Sequence, residues 1–60
     1  MNFSGKSILI TGAASGIGEA CARRAAECGA KLMLCDIDVE KGEALCQELR
    51  AQGVECQFHV

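Results

Sequence analysis

Near the start of the chain, Thr11-Gly12-Ala13-Ala14-Ser15-Gly16-Ile17-Gly18 combines three glycines with two hydroxyl side chains. Glycines let a backbone turn sharply and let a phosphate approach it without meeting a Cβ. Where such a turn runs into a helix, the first N–H groups are unpaired and carry about half a positive charge, which attracts an anion such as pyrophosphate. Gly18, already inside that helix, would let it sit close to the strand or to a ribose. Three glycines alone are weak evidence, and a turn that needs positive φ angles would be the preferred explanation of them. Asp36 changes the weighing. It lies 18 residues beyond Gly18, at the end of the next apolar run, where a carboxylate can accept hydrogen bonds from ribose hydroxyls.

The elements that must position these residues are legible on either side. After a polar start (Met1–Lys6), Ser7–Ile10 is a short apolar run that stops at Thr11-Gly12 and reads as a strand. Ile8, Leu9 and Ile10 would point to both faces, as in a parallel strand buried on two sides. From Ile17 the period becomes helical. Ile17, Ala20, Cys21, Arg24, Ala25 and Cys28 recur at that spacing, and the small residues among them permit close approach to a sheet. Gly29 sits where a left-handed cap is wanted. Lys31–Cys35 is a second continuous apolar strand.

Asp38 is suited to cap a second helix, with Glu40 in its first turn and Gly42, Leu45, Cys46 and Leu49 on its inner face. Val54, Cys56, Phe58 and Val60 then alternate with Glu55, Gln57 and His59, the pattern of an edge strand with one wet face. Strand, helix, strand, helix, strand make two successive βαβ units, an α/β arrangement with a parallel sheet. Right-handed crossovers put both helices on one face of that sheet. The other face, apolar in the first two strands, is expected to be covered by further polypeptide or by a partner.

Composition narrows the function. Half of the 60 residues are apolar, and Pro, Trp and Tyr are absent, which suits a packed segment and not a disordered tail. The net charge is −2, and Lys6, Arg23, Arg24, Lys31, Lys41 and Arg50 are scattered, so nothing argues for nucleic acid. Apolar runs such as Ile8–Ile10 are far too short for a membrane span or a signal-peptide core, and a cytoplasmic location is expected. Cys21, Cys28, Cys35, Cys46 and Cys56 contain no C-x-x-C pair and so lack the usual zinc or redox signature. On one helix Cys21 and Cys28 would stand about 10 Å apart, beyond the roughly 7 Å that a disulfide tolerates. All five read as small buried apolar residues in a reducing compartment, with no metal site. Gly5-Lys6-Ser7 imitates the end of a P-loop, but it precedes its strand where a P-loop follows one.

With Thr11 in front, the spacing T-G-A-A-S-G-I-G differs from G-x-G-x-x-G and resembles the nucleotide-binding signature of the short-chain dehydrogenase/reductase family. The resemblance runs from Gly5 to Val60. It implies a Rossmann-like domain, an NAD(H) or NADP(H) cofactor, and hydride transfer to or from a small-molecule alcohol or carbonyl. It implies that Gly12, Gly16 and Gly18 surround the pyrophosphate and that Ser15 and Ile17 add loop contacts. Asp36 would hold the ribose, and Thr11 would tie down the turn by a local hydrogen bond. A carboxylate repels the 2′-phosphate of NADP, and neither Ser15 nor Ile37 supplies the basic residue that NADP-using relatives often carry there. NAD is therefore expected over NADP, and Asp36→Ala would weaken NADH while leaving NADPH equal or better.

The same resemblance implies a catalytic Tyr with a Lys four residues later, an upstream Ser and commonly an Asn, all from later segments. This sequence holds no Tyr, so no catalytic residue is assigned. Residues 1–60 are thus expected to be the N-terminal part of a single NAD(P)-binding domain whose remainder is missing, and a homo-oligomer is expected of the intact protein. Two other readings stand beside this one. A non-catalytic nucleotide-binding or protein-interaction module would use the uncovered sheet face. A methyltransferase would also place an acidic residue after the second strand, although its glycine loop differs.

Overall fold

The computed structural model describes residues 2–60; Met1, the first residue of the polar start, lies outside them. Five elements follow the order read from the sequence: β1 (Ser7–Thr11), α1 (Gly16–Glu27), β2 (Lys31–Cys35), α2 (Val39–Ala51) and β3 (Cys56–His59). The strands form one parallel sheet in the order β1-β2-β3. Thr11 joins β1, one residue later than its apolar run, because it pairs with Cys35. The last strand is shorter than its alternation suggested, starting at Cys56.

Strand register sorts the side chains into rows. Ile8, Leu32 and Cys56 stand side by side, as do Ile10, Leu34 and Phe58. These rows share the face that the helices cover, where Ile10, Leu32, Leu34 and Cys56 join Ala22, Ala25, Leu45, Cys46 and Leu49 in one core. The opposite face carries the Leu9, Met33 and Gln57 row, and Leu9 is 63% exposed. Both helices therefore pack on one side, and among the described residues β1 is covered on that side alone.

The two helices reach the sheet differently. In α2, Gly42, Leu45, Cys46 and Leu49 are all buried, the inner face that the sequence indicated. A Cβ on Gly42 would collide with the Phe58 ring, so this glycine lets α2 lie close over β3. Asp38 caps α2 as expected, its Oδ1 accepting the Lys41 N–H at 3.1 Å. Arg50 fastens the far end, where its Nε donates to the Cys56 carbonyl at 2.7 Å.

In α1 the buried residues are Gly18, Ala22 and Ala25. The stripe read from the sequence is corrected: Ile17, Ala20, Cys21 and Arg24 are exposed, and only Ala25 of that set is buried. An alanine face packs closer to a sheet than one carrying Ile and Arg, and closeness here is dictated by the turn before the helix. Gly29, with φ +88°, supplies the left-handed residue after α1. An ion-pair cluster joins the helices, with Arg23 paired to Glu19 on its own helix and to Glu48 on α2.

The cysteines also divide. Cys46 and Cys56 are buried, Cys28 and Cys35 are half-buried, and Cys21 is exposed, against the expectation that all five would be inside. Cys21 lies on the outer side of α1 because the inner side is taken by the alanines. Burial, then the neighbouring Cys46 thiol, pushes the Cys56 thiol up to about 12, so it stays protonated and unreactive at neutral pH.

Leu34 is completely buried at the centre of the sheet. Leu34→Ala is expected to cost about 2–5 kcal/mol, read as a lower denaturation midpoint with no change in the slope of the transition.

Candidate functional site

The turn between β1 and α1 is built from backbone contacts that its residue types permit. Gly12 has φ +67°, a conformation that L side chains rarely adopt. Its carbonyl accepts the Ser15 N–H at 3.0 Å and the Ser15 hydroxyl at 2.7 Å. The same hydroxyl oxygen accepts the Gly18 N–H at 3.1 Å. The Ser15 carbonyl takes the Glu19 N–H at 2.8 Å, the first rung of the helix ladder. Ser15 is thus the N-cap of α1 and the clasp of the turn together. The tie expected from Thr11 is supplied by Ser15, because Thr11 is the last residue of β1, in the ladder opposite Cys35.

The three glycines have three separate physical reasons. Gly12 is required by its positive φ. Gly18 is required by proximity, since a Cβ there would overlap the Gly12 carbonyl. At Gly16, apart from its chain neighbours and the backbone of its own helix, no atom lies within 4 Å of where a Cβ would stand. Its backbone is ordinary helix at the first position of α1, so neither dihedral strain nor internal packing calls for glycine. The Gly16 and Ile17 N–H groups open the helix and have no carbonyl within it to meet. Ile17 extends its side chain outward and is 83% exposed.

Asp36 closes the site from the neighbouring strand. Two consecutive turn amides are fastened to two consecutive residues at the end of β2: Ala13 N–H donates to the Cys35 carbonyl at 3.2 Å, and Ala14 N–H donates to Asp36 Oδ2 at 2.9 Å. The other carboxylate oxygen, Oδ1, accepts the Asp38 N–H at 2.8 Å. The Asp38 N–H and then the Ala14 N–H hold the Asp36 carboxyl below the usual carboxylate range, so it is ionised at neutral pH. Each oxygen keeps a further lone pair for another donor. Glu19, the acidic residue in the first turn of α1, is drawn along the helix into its pair with Arg23 at 2.9 Å.

Gly12, Ser15, Gly18 and Asp36 are therefore joined in one assembly, with Gly16 and Ile17 on its open side. Sequence reasoning missed the contribution of Ala13 and Ala14. Ala13 is completely buried beneath the turn, and Ala14 acts through its N–H. The Asp36–Asp38 contact has a local signal that could have disclosed it, since an Asp side chain commonly accepts the backbone N–H two residues on. Among the described residues, no cluster of His, Cys, Asp and Glu could hold a metal ion, and no helix is long and apolar enough to cross a membrane.

Comparison with known proteins places this geometry. Residues 6–60 match the family model described as short chain dehydrogenase. An uncharacterized oxidoreductase of Thermotoga maritima is 48% identical over 58 residues, which cover 97% of this chain and 23% of that protein. Zerumbone synthase of Zingiber zerumbet is 44% identical over 59 residues, 98% of this chain and 22% of that protein. Among solved structures, a short-chain dehydrogenase/reductase from Burkholderia phymatum in complex with NAD superposes with a TM-score of 0.92 at 41% identity, over 98% of this chain and 21% of that one. A metagenomic short-chain oxidoreductase in complex with NADP gives 0.88 at 41% identity, over 97% and 26%. The chain thus spans about a quarter or less of the proteins it resembles.

Two expectations follow from the geometry. Gly18→Ala forces Gly12 or the start of α1 to move and is expected to destabilise by about 1–3 kcal/mol, whereas Gly16→Ala leaves the melting temperature equal or higher, because alanine is the better helix former. Thermal unfolding of both variants checks the contrast. A carboxylate whose folded pKa is depressed contributes stability above its unfolded value and loses it as pH falls through the lower folded value. Asp36→Asn is therefore expected to lower stability at neutral pH and to flatten the acid limb of a stability-against-pH curve.

Proposed function

The chain belongs to the short chain dehydrogenase family, and on that premise we propose that it forms the adenosine and pyrophosphate half of an NAD site. The intact protein on this reading is an NAD-dependent oxidoreductase acting on a small alcohol or carbonyl compound, and residues 1–60 are the N-terminal part of its single nucleotide-binding domain. One observation carries the cofactor reading. Gly16 is a glycine that the chain's own packing does not need, at the mouth of a helix whose first N–H groups are unpaired, and a phosphate is the group that needs both.

The residues fit a dinucleotide. Gly12 and Gly18 give the turn its shape, Gly16 leaves room for the pyrophosphate, and the Gly16 and Ile17 N–H groups donate to it. Ser15 keeps those groups aligned by capping the helix. The exposed Ile17 side chain offers an apolar contact beside the phosphates. Asp36, ionised, accepts from the ribose hydroxyls through the lone pairs that Ala14 and Asp38 leave free. When bound, the nicotinamide supplies or accepts the hydride. The residues of this chain bind and orient the far end of the molecule that carries it.

NAD is favoured over NADP by charge. A 2′-phosphate would meet the Asp36 carboxylate, and the flanking side chains Ser15 and Ile37 have no charge to offset it; Ile37 is 91% exposed and apolar. A reducing, cytoplasmic setting belongs to the same reading.

Calorimetric titration of the intact protein with NADH and NADPH tests the assignment. NADH is expected to bind at least about tenfold more tightly, as removal of one charge-assisted hydrogen bond or addition of one like-charge contact amounts to 1.4 kcal/mol or more. Gly16→Val is expected to abolish binding without unfolding the chain. Unchanged affinity in that variant would sink the phosphate assignment.

A further inference from the structure

We propose that Asp36 is also a positioning residue for the phosphate-binding turn: by accepting the Ala14 N–H, its carboxylate holds the turn in the shape an anion needs. Phosphate affinity and ribose selection would then rest on one side chain. The inference rests on the dinucleotide reading above and goes beyond it, since that reading needs only the ribose role.

The turn is closed from two sides. On the helix side, Ser15 binds the Gly12 carbonyl through both its N–H and its hydroxyl. On the sheet side, the attachments are Ala13 N–H to the Cys35 carbonyl at 3.2 Å and Ala14 N–H to Asp36 Oδ2 at 2.9 Å. The second is shorter and has an ionised acceptor, which makes it the stronger of the two. The carboxylate cannot swing away to make some other contact, because Oδ1 is held by the Asp38 N–H at 2.8 Å. Without it, the part-buried Ala14 N–H has no acceptor, and the turn loses its attachment midway between Gly12 and Gly16.

The expectation drawn from the sequence for Asp36→Ala therefore changes. Removing the carboxylate relieves repulsion of a 2′-phosphate but also releases the turn, so NADPH gains little or loses. A variant suited to NADPH must remove the charge and keep an oxygen, as Asp36→Asn does. The titratable residues that touch Asp36 do so through their backbones, Asp38 by its N–H and His59 by its carbonyl, and the Asp38 carboxylate is itself taken by the Lys41 N–H.

Two measurements decide it. In the wild-type protein, the Ala14 amide resonance is expected to shift with pH at a midpoint below the usual carboxylate range, and to stay flat in Asp36→Asn. NADPH is expected to bind Asp36→Asn about tenfold more tightly than Asp36→Ala, the two being equally uncharged. An Ala14 resonance indifferent to Asp36, or NADPH binding to Asp36→Ala as tight as to Asp36→Asn, would overturn the proposal. The wild-type titration needs no variant to fold. Should the wild type bind neither nucleotide while the Ala14 amide still titrates, the dinucleotide reading fails and the hold of Asp36 on the turn stands.

Discussion

A helix can begin this close to the end of its strand only where no Cβ stands between them. Gly18 sits against the Gly12 carbonyl so tightly that a single methyl group would overlap it. Much else follows from that contact. It fixes how near α1 lies to the sheet, and that distance selects alanine at positions 22 and 25 for the buried face. It turns Ile17 and Cys21 outward. It also folds the turn back on itself, so that one serine can reach both Gly12 and Gly18.

Hydrogen bonds then convert a close contact into a defined shape. A turn of small residues has large conformational entropy to lose, on the order of 1–2 kcal/mol for each residue fixed. Ser15 and Asp36 offset part of that from opposite sides, one through the helix end and one through the neighbouring strand. Both act on backbone groups, which leaves the side chains of the turn small and the helix mouth open. The acidic residue in the first turn of α1, Glu19, is engaged by Arg23, and the charge nearest the turn is that of Asp36.

How much of this the sequence discloses depends on whether a side chain or a backbone atom makes the contact. α2 was legible in detail, from the Asp38 cap to the Gly42, Leu45, Cys46 and Leu49 face, because large apolar residues contrast with charged neighbours. The strands were legible to within a residue or two for the same reason. The inner face of α1 was not. Its buried residues are glycine and alanine, which carry little hydrophobic contrast, while the most apolar side chain, Ile17, faces outward. The glycines and Asp36 could be singled out by type and spacing. The bond from Ala14 to Asp36 could not, since every residue but proline has an N–H and nothing in the letter A marks which one is used.

The attachment of the turn to β2 also orders events in time. Ala14 and Asp36 are 22 residues apart, and a ribosome adding about 5–20 residues per second needs roughly one to four seconds to cross that interval. Until β2 exists, the turn has only its serine clasp, and bringing its distant partner in carries the entropy of closing a loop of that length. The finished shape of the turn is therefore a product of sheet assembly and not a seed for it. On the proposed reading, a nucleotide present during synthesis finds its site only after the second strand has docked, and stabilises the finished sheet without guiding the first βαβ half of the chain toward it.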